Sequence, residues 1–205
     1  MTNELIINSK RLTNYQAWQT EEAIPLIKGF HIEDLRKVPL SPWKRKGGFG
    51  AFINLEGTEG TNDAYLCEIP PGNNLKPQKH LYEELIYILS GHGATTIWNR
   101  EDKKQTFEWQ QGSLFSPPLN TWHQHFNGSG EKPVRYLAVT SAPIVMNLFH
   151  SNEFIFNNNF MFSDRYGGED GYFSAKGRII WKRVWESNFI PDVKVFQLKD
   201  MKERG

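Results

Sequence analysis

Between Gly48 and Thr140 the chain breaks into short runs rich in Phe, Ile, Val, Tyr and Thr, each closed by glycine, proline or a polar turn. This punctuation constrains the fold more than any other feature. Residues 49–55, 64–69, 85–89, 94–98, 106–109, 122–126 and 134–140 each read as a strand, and 99–104 is a polar turn between two of them. Many short strands at regular spacing predict an all-β sandwich or barrel. Two extensions flank it, giving an expected division into residues 1–47, 48–150 and 151–205. In the first, Thr13-Asn-Tyr-Gln16 reads as a capping box before a short helix that Pro25 ends. The basic cluster Trp43-Lys44-Arg45-Lys46 reads as a solvated loop. Residues 142–149 and 154–160 add aromatic, strand-like material. Further on, 164–171 is glycine-rich and polar, and strand pattern returns at 178–185 and 193–198. Trp181, Trp185 and Phe189 make this last part too apolar to hang free, so it is expected to pack on the barrel or on a partner subunit.

Charge and cysteine usage narrow the function. Among 205 residues, 24 Lys and Arg against 23 Asp and Glu leave a net charge of +1, too small a field to draw in nucleic acid or an acidic membrane. The longest apolar run, 85–89, is five residues and cannot span a bilayer. The first ten residues lack an apolar segment behind a basic one, which argues against a secretory signal and for a cytoplasmic location. Cys67 is the single cysteine, which excludes an internal disulfide and a multi-thiolate zinc site. It reads as a small buried hydrophobe. Any metal must then use His, Asp, Glu or amide ligands.

Two stretches carry such groups. One runs from Gly72 through Gln78, His80 and Glu84 to Gly91, the other from Gly112 through Pro118, His123 and His125 to Asn127. Alternate residues of a strand share a face, so Gln78, His80 and Glu84 look inward together if the strand stays regular, as do His123 and His125. A helix would also pair His80 with Glu84, but the alternation of Ile86 and Ile88 between Pro77 and Gly91 selects strand. His80, Glu84 and His123 make a two-His-one-carboxylate set that leaves coordination positions open for a divalent metal.

These stretches resemble the two motifs of the cupin superfamily. Gly72, His80, Glu84 and Gly91 fit the first, with Gln78 where a histidine is usual, and Gly112, Pro118, His123 and Asn127 fit the second, with Asn120 in place of a glycine. The phrase Pro117-Pro-Leu-Asn-Thr-Trp-His-Gln-His125 is also similar to ring-cleaving dioxygenases of the gentisate type. The resemblance covers about residues 48–150. It implies a double-stranded β-helix, or jelly-roll, barrel and a metal held by His80, Glu84 and His123. Gln78 either ligates through its carbonyl oxygen or holds a water. His125 faces inward by parity outside the ligand pattern, and both a packed histidine and a catalytic base remain open for it. Trp122 and Phe126 fall on the opposite face. His31, His92 and His150 have no convergent companions.

The leading functional expectation is a non-haem Fe(II) dioxygenase acting on a small phenolic or organic acid. One alternative keeps the metal, as Zn, Mn or Ni, in an isomerase, lyase or hydrolase. Another is a non-catalytic ligand-binding barrel. Strand 85–89 is apolar on both faces, so its outward residues Leu85, Tyr87 and Leu89 need a cover. Trp181, Trp185 and Phe189 are the expected cover, and a homodimer the expected assembly, as the resemblance implies.

Overall fold

The structure, a computed structural model, describes residues 12–58, 60–181 and 184–195, with side chains at 178–185 outside that description. In chain order the elements are α1 (Asn14–Glu22), β1 (Leu26–Gly29), β2 (Ser41–Trp43), β3 (Gly48–Leu55), β4 (Asp63–Ile69), β5 (Glu84–Ser90) and β6 (His92–Trp98). Then follow β7 (Gln105–Gln110), β8 (Leu114–Phe115), β9 (Trp122–Asn127), β10 (Val134–Thr140), α2 (Ala142–Phe149), α3 (Asn152–Asn157), β11 (Arg178–Trp181), β12 (Val184–Glu186) and β13 (Phe189–Ile190). One sheet runs β1-β3-β4-β10-β5-β8-β13, with β2 on β3; the second runs β7-β6-β9; β11 and β12 pair alone. All pairings are antiparallel except β1 with β3. This is the expected jelly-roll barrel.

The chain passes from one sheet to the other at glycines. Gly91 separates β5 from β6 at φ +87°, and a Cβ there would lie 2.7 Å from Val134. A positive φ and the absence of room both demand glycine. The interior between the sheets joins Phe52, Tyr65, Ile86, Ile88 and Tyr136 of the large sheet to Ile97, Phe107 and Trp109 of the small one.

Both extensions pack on the barrel, the C-terminal one as expected, but the cover of the outer face comes from the N-terminal one. The outward residues Ala51, Ile53, Leu66 and Leu89 form a second core with Val38, against which Ile27, Ile32, Leu35, Leu40, Tyr87 and Leu137 also pack. The cover of the outer face is therefore the segment before β3. Arg135 fastens it, donating from Nη1 to the carbonyls of Leu35, Arg36 and Val38 at 3.3, 2.6 and 3.1 Å while Nε and Nη2 pair with Glu68. Phe189, expected as cover, instead sits 5.3 Å from the Phe107 ring and 6.4 Å from that of Phe115, in the interior cluster. The side chains of Trp181 and Trp185 lie outside the described residues, as does 196–198 of the expected last strand.

The capping box forms, Thr13 accepting from Gln16 N and donating its own N–H to Gln16 Oε1, and α1 ends at Glu22, its C-cap Ala23 two residues before Pro25. Tyr15 OH donates to Asp63 Oδ2 at 2.8 Å and ties the helix to β4. Residues 142–149 and 154–160 are not strands. Pro143 lies in the first turn of α2, where its missing N–H costs nothing, and the Ser151 hydroxyl caps α3 through Phe154 N. No helix among the described residues is long and apolar enough to cross a membrane.

Candidate metal centre

The local chain path differs from a regular strand. Gln78 is joined to His123 by an isolated bridge, N–H to carbonyl both ways at 3.0 and 2.9 Å. The chain then bends through 81–82, and β5 begins only at Glu84. Neither strand alternation nor a helical turn brings His80 to Glu84; a bend does. His123 and His125 do share the inner face of β9, each 1% exposed, with Trp122 and Phe126 half-buried on the other face.

His80 Nε2 and His123 Nε2 lie 3.5 and 3.7 Å from Glu84 Oε2, and ligand atoms of the three side chains fall within 4.8 Å of one another. Each imidazole is oriented from behind. His80 Nδ1 donates to Tyr82 O at 2.8 Å and His123 Nδ1 to Thr121 O at 3.0 Å, so both rings direct an Nε2 lone pair at the shared point. Tyr82 also stacks on His80, ring centroids 3.8 Å apart and nearly parallel.

This donor set fits a metal ion by what is missing. His80 Nε2, His123 Nε2, Glu84 Oε2 and both amide atoms of Gln78 are buried without a hydrogen-bond partner. Buried polar atoms are seldom left so, and here those of His80, Glu84 and His123 lie within 4.8 Å of one another. Two imidazole lone pairs and a carboxylate oxygen suit a divalent first-row ion.

The other carboxylate oxygen is engaged. Tyr65 OH donates a short hydrogen bond to Glu84 Oε1, and Lys46 Nζ donates to Tyr65 OH at 2.6 Å. Lys46, expected in a solvated loop, is 1% exposed, as is Trp43; Arg45 pairs with Glu22 beneath the ring of Phe156. The cluster turns inward because Trp43 and Lys46 close the barrel wall beside Tyr65, leaving Lys44 exposed. Burial works to raise the Glu84 pKa, but the Lys46 ammonium and the two histidines outweigh it and hold the carboxyl well below its usual range. Burial brings Lys46 down to about 8 and pushes Tyr65 well above its usual range, the nearby Glu84 adding to the latter. His123 is held well below the ordinary histidine range by burial and then by His80.

His125 lies beside the cluster, its ring centroid 5.4 Å from that of His123, and its Nε2 is also buried and unpartnered. Burial lowers its pKa to about 3. His31, His92 and His150 are exposed, and Cys67 is buried with its thiol raised to about 11 by burial. Lys46 and Tyr65 escaped the sequence reading. Tyr65 shares the inward parity of Cys67 and Ile69 on β4, a signal that was present.

Residues 65–140 match the family model described as Cupin domain. Solved structures similar to the chain include an oxalate decarboxylase–formate complex from Lactobacillus farciminis (25% identity over 54% of this chain and 32% of that one, TM-score 0.45). Others are the Cnp3 cupin domain of Schizosaccharomyces pombe (20%, 53% and 71%, TM-score 0.44) and tomato vicilin, Solanum lycopersicum (17%, 46% and 28%, TM-score 0.41). The match thus spans about a third of the oxalate decarboxylase chain. No curated protein matches the chain by sequence.

Proposed function

We propose that this chain, in which residues 65–140 are a cupin domain, is a metal-dependent oxidoreductase, a non-haem Fe(II) dioxygenase acting on a small phenolic or organic acid. The observation that carries the reading is the convergence of unpartnered His80 Nε2, His123 Nε2 and Glu84 Oε2 in the barrel interior. A divalent ion held there supplies Lewis acidity toward a substrate oxygen and, as Fe(II), reactivity with dioxygen. His80 and His123 bind through Nε2, with their Nδ1 protons committed to carbonyls. Glu84 offers Oε2 alone, since Tyr65 occupies Oε1. Monodentate ligation by three side chains keeps other positions open, and burial excludes bulk water from them.

A second reading keeps the site and drops the oxygen: an isomerase, lyase or hydrolase using Zn, Mn or Ni. Gln78 favours its manganese form, because an amide oxygen suits Mn, whereas the histidine usual at that position suits Fe, Zn and Ni alike. Metal analysis of protein purified without added metal, then an oxygen-uptake screen with phenolic and organic acids, separates the two. Bound iron with uptake supports the dioxygenase. Bound zinc, manganese or nickel without uptake moves the function to the second reading, and an empty site in fresh protein to a ligand-binding role.

A further inference from the structure

Three histidines line this interior, and their hydrogen bonds place them in two tautomers. His80 and His123 face backbone carbonyls through Nδ1, which therefore carries the proton. His125 faces a hydroxyl instead, Thr95 Oγ1, at 2.7 Å. That hydroxyl already accepts from Trp109 Nε1 at 2.8 Å, and an indole nitrogen can only donate. Thr95 is fully buried, and among the described residues His125 Nδ1 is the acceptor within its reach. Its single proton goes to Nδ1, so the proton of the neutral His125 ring sits on Nε2.

The arrangement is built by the small sheet. Thr95 and His125 are directly opposed in the pairing of β6 with β9. Trp109 lies on β7 opposite Gly93, and its indole fills the space a side chain there would take: a Cβ at 93 would lie 2.5 Å from the ring. Three adjacent strands thus supply donor, relay and imidazole in one line.

We propose that His125 is a hydrogen-bond donor, through Nε2–H, to an anionic oxygen of the ligand bound beside the metal, and that Thr95 and Trp109 are the residues that position it. His125 is thereby barred from ligating, because it presents a proton where His80 and His123 present lone pairs. Its Nε2 is buried and without a partner, which leaves a donor waiting for an acceptor. Next to a cation, the acceptor that satisfies both groups is a carboxylate, enolate or phenolate oxygen. The identification of the ligand class rests on the metal reading; the tautomer does not.

The test is nitrogen NMR of histidine-labelled protein, metal-free and then zinc-loaded, with acetate as the probe. In the metal-free chain the expected result is a proton on Nε2 of His125 and on Nδ1 of His80 and His123. Zinc should shift Nε2 of His80 and His123 as ligands, and acetate should then shift the Nε2–H of His125. Thr95→Val should mix the two His125 tautomers and weaken acetate binding by about tenfold, and Thr95→Ser should restore both. A proton on Nδ1 of His125, zinc bound to its Nε2, or acetate that leaves its signal unmoved overturns the proposal. If zinc moves none of the three rings while His125 keeps its proton on Nε2, the metal reading fails and the tautomer assignment stands. Should Thr95→Val not fold, the wild-type spectra decide alone.

Discussion

Lys46 and Tyr65 meet inside the barrel, ammonium to phenol at 2.6 Å, and the phenol passes the contact on to Glu84 Oε1. A buried lysine normally costs stability, but this one supplies the counter-charge that a buried carboxylate needs before a metal binds. Tyr65→Phe keeps the ring and releases Oε1. Its metal affinity, measured by chelator competition, should change by about 10–100-fold, the effect expected of a group that orients a ligand. Lys46→Met should weaken binding at least as much. Unchanged affinity in both variants would show that the pair is packing alone.

Glu84→Ala removes a ligand outright. Metal stoichiometry or affinity should fall by at least about tenfold, beyond the usual effect of a residue behind the ligands. Unaltered occupancy would defeat the ligand assignment.

Gln78 is decided by a pair of substitutions. Metal loss in Gln78→Ala with retention in Gln78→His means that the amide oxygen ligates, since imidazole serves the same ions. Full retention in both means that it does not.

Asp63 sets a pH dependence remote from the centre. Burial lifts its pKa from 3.8 to about 6, against smaller lowering effects from Tyr15, Ala64 and Gln19. Between about pH 4 and 6 the folded chain keeps a proton that the unfolded chain has lost, so stability falls as pH rises through this window and levels off above it. Asp63→Asn cannot ionise. Relative to wild type it should gain about 1–2 kcal/mol between pH 4 and 7. Urea unfolding of metal-free protein across that range gives the answer, and a flat difference refutes it.

The outer-face cover makes a deletion informative. A chain starting at residue 41 loses Val38, Leu35 and Ile32 and exposes Leu66 and Leu89, now 0% and 4% accessible. It should aggregate or unfold at lower urea than the full chain. Equal solubility and stability would mean that this packing contributes little. The expected homodimer is checked separately by light scattering of the full chain at low micromolar concentration, where a monomeric mass would exclude it.

The barrel strands were legible because each couples β-branched and aromatic residues to a glycine or polar stop, as in 85–89 before Gly91. His80, Glu84 and His123 were legible through the motif resemblance, whereas strand parity missed the bend at 81–82 that brings His80 to Glu84. Residues 142–149 misled because Ile144, Val145 and Phe149 favour strand locally, whereas Pro143 in the first turn and the burial of Ala142 and Met146 select helix. Lys46 misled more deeply. Nothing in a run of basic residues says which one will turn inward; that depends on Tyr65 and Glu84, 19 and 38 positions further along the chain. The tautomer of His125 depends likewise on Thr95 and Trp109, from two other strands.

Asn120 stands where the resembling motif has glycine, and it adopts glycine's left-handed backbone at φ +54°. Its amide also donates to the carbonyls of Asn158 and Phe160 at 3.1 and 2.8 Å. A glycine could shape that corner but could grip nothing. With asparagine there, the turn that delivers His123 is clasped to the stretch following α3, so a push on either is felt by the other. The clasp closes on main-chain oxygens, which every amino acid carries. The exposed Phe160 side chain is therefore free to be exchanged, and the stretch can acquire new surface chemistry without loosening the histidine it helps to hold.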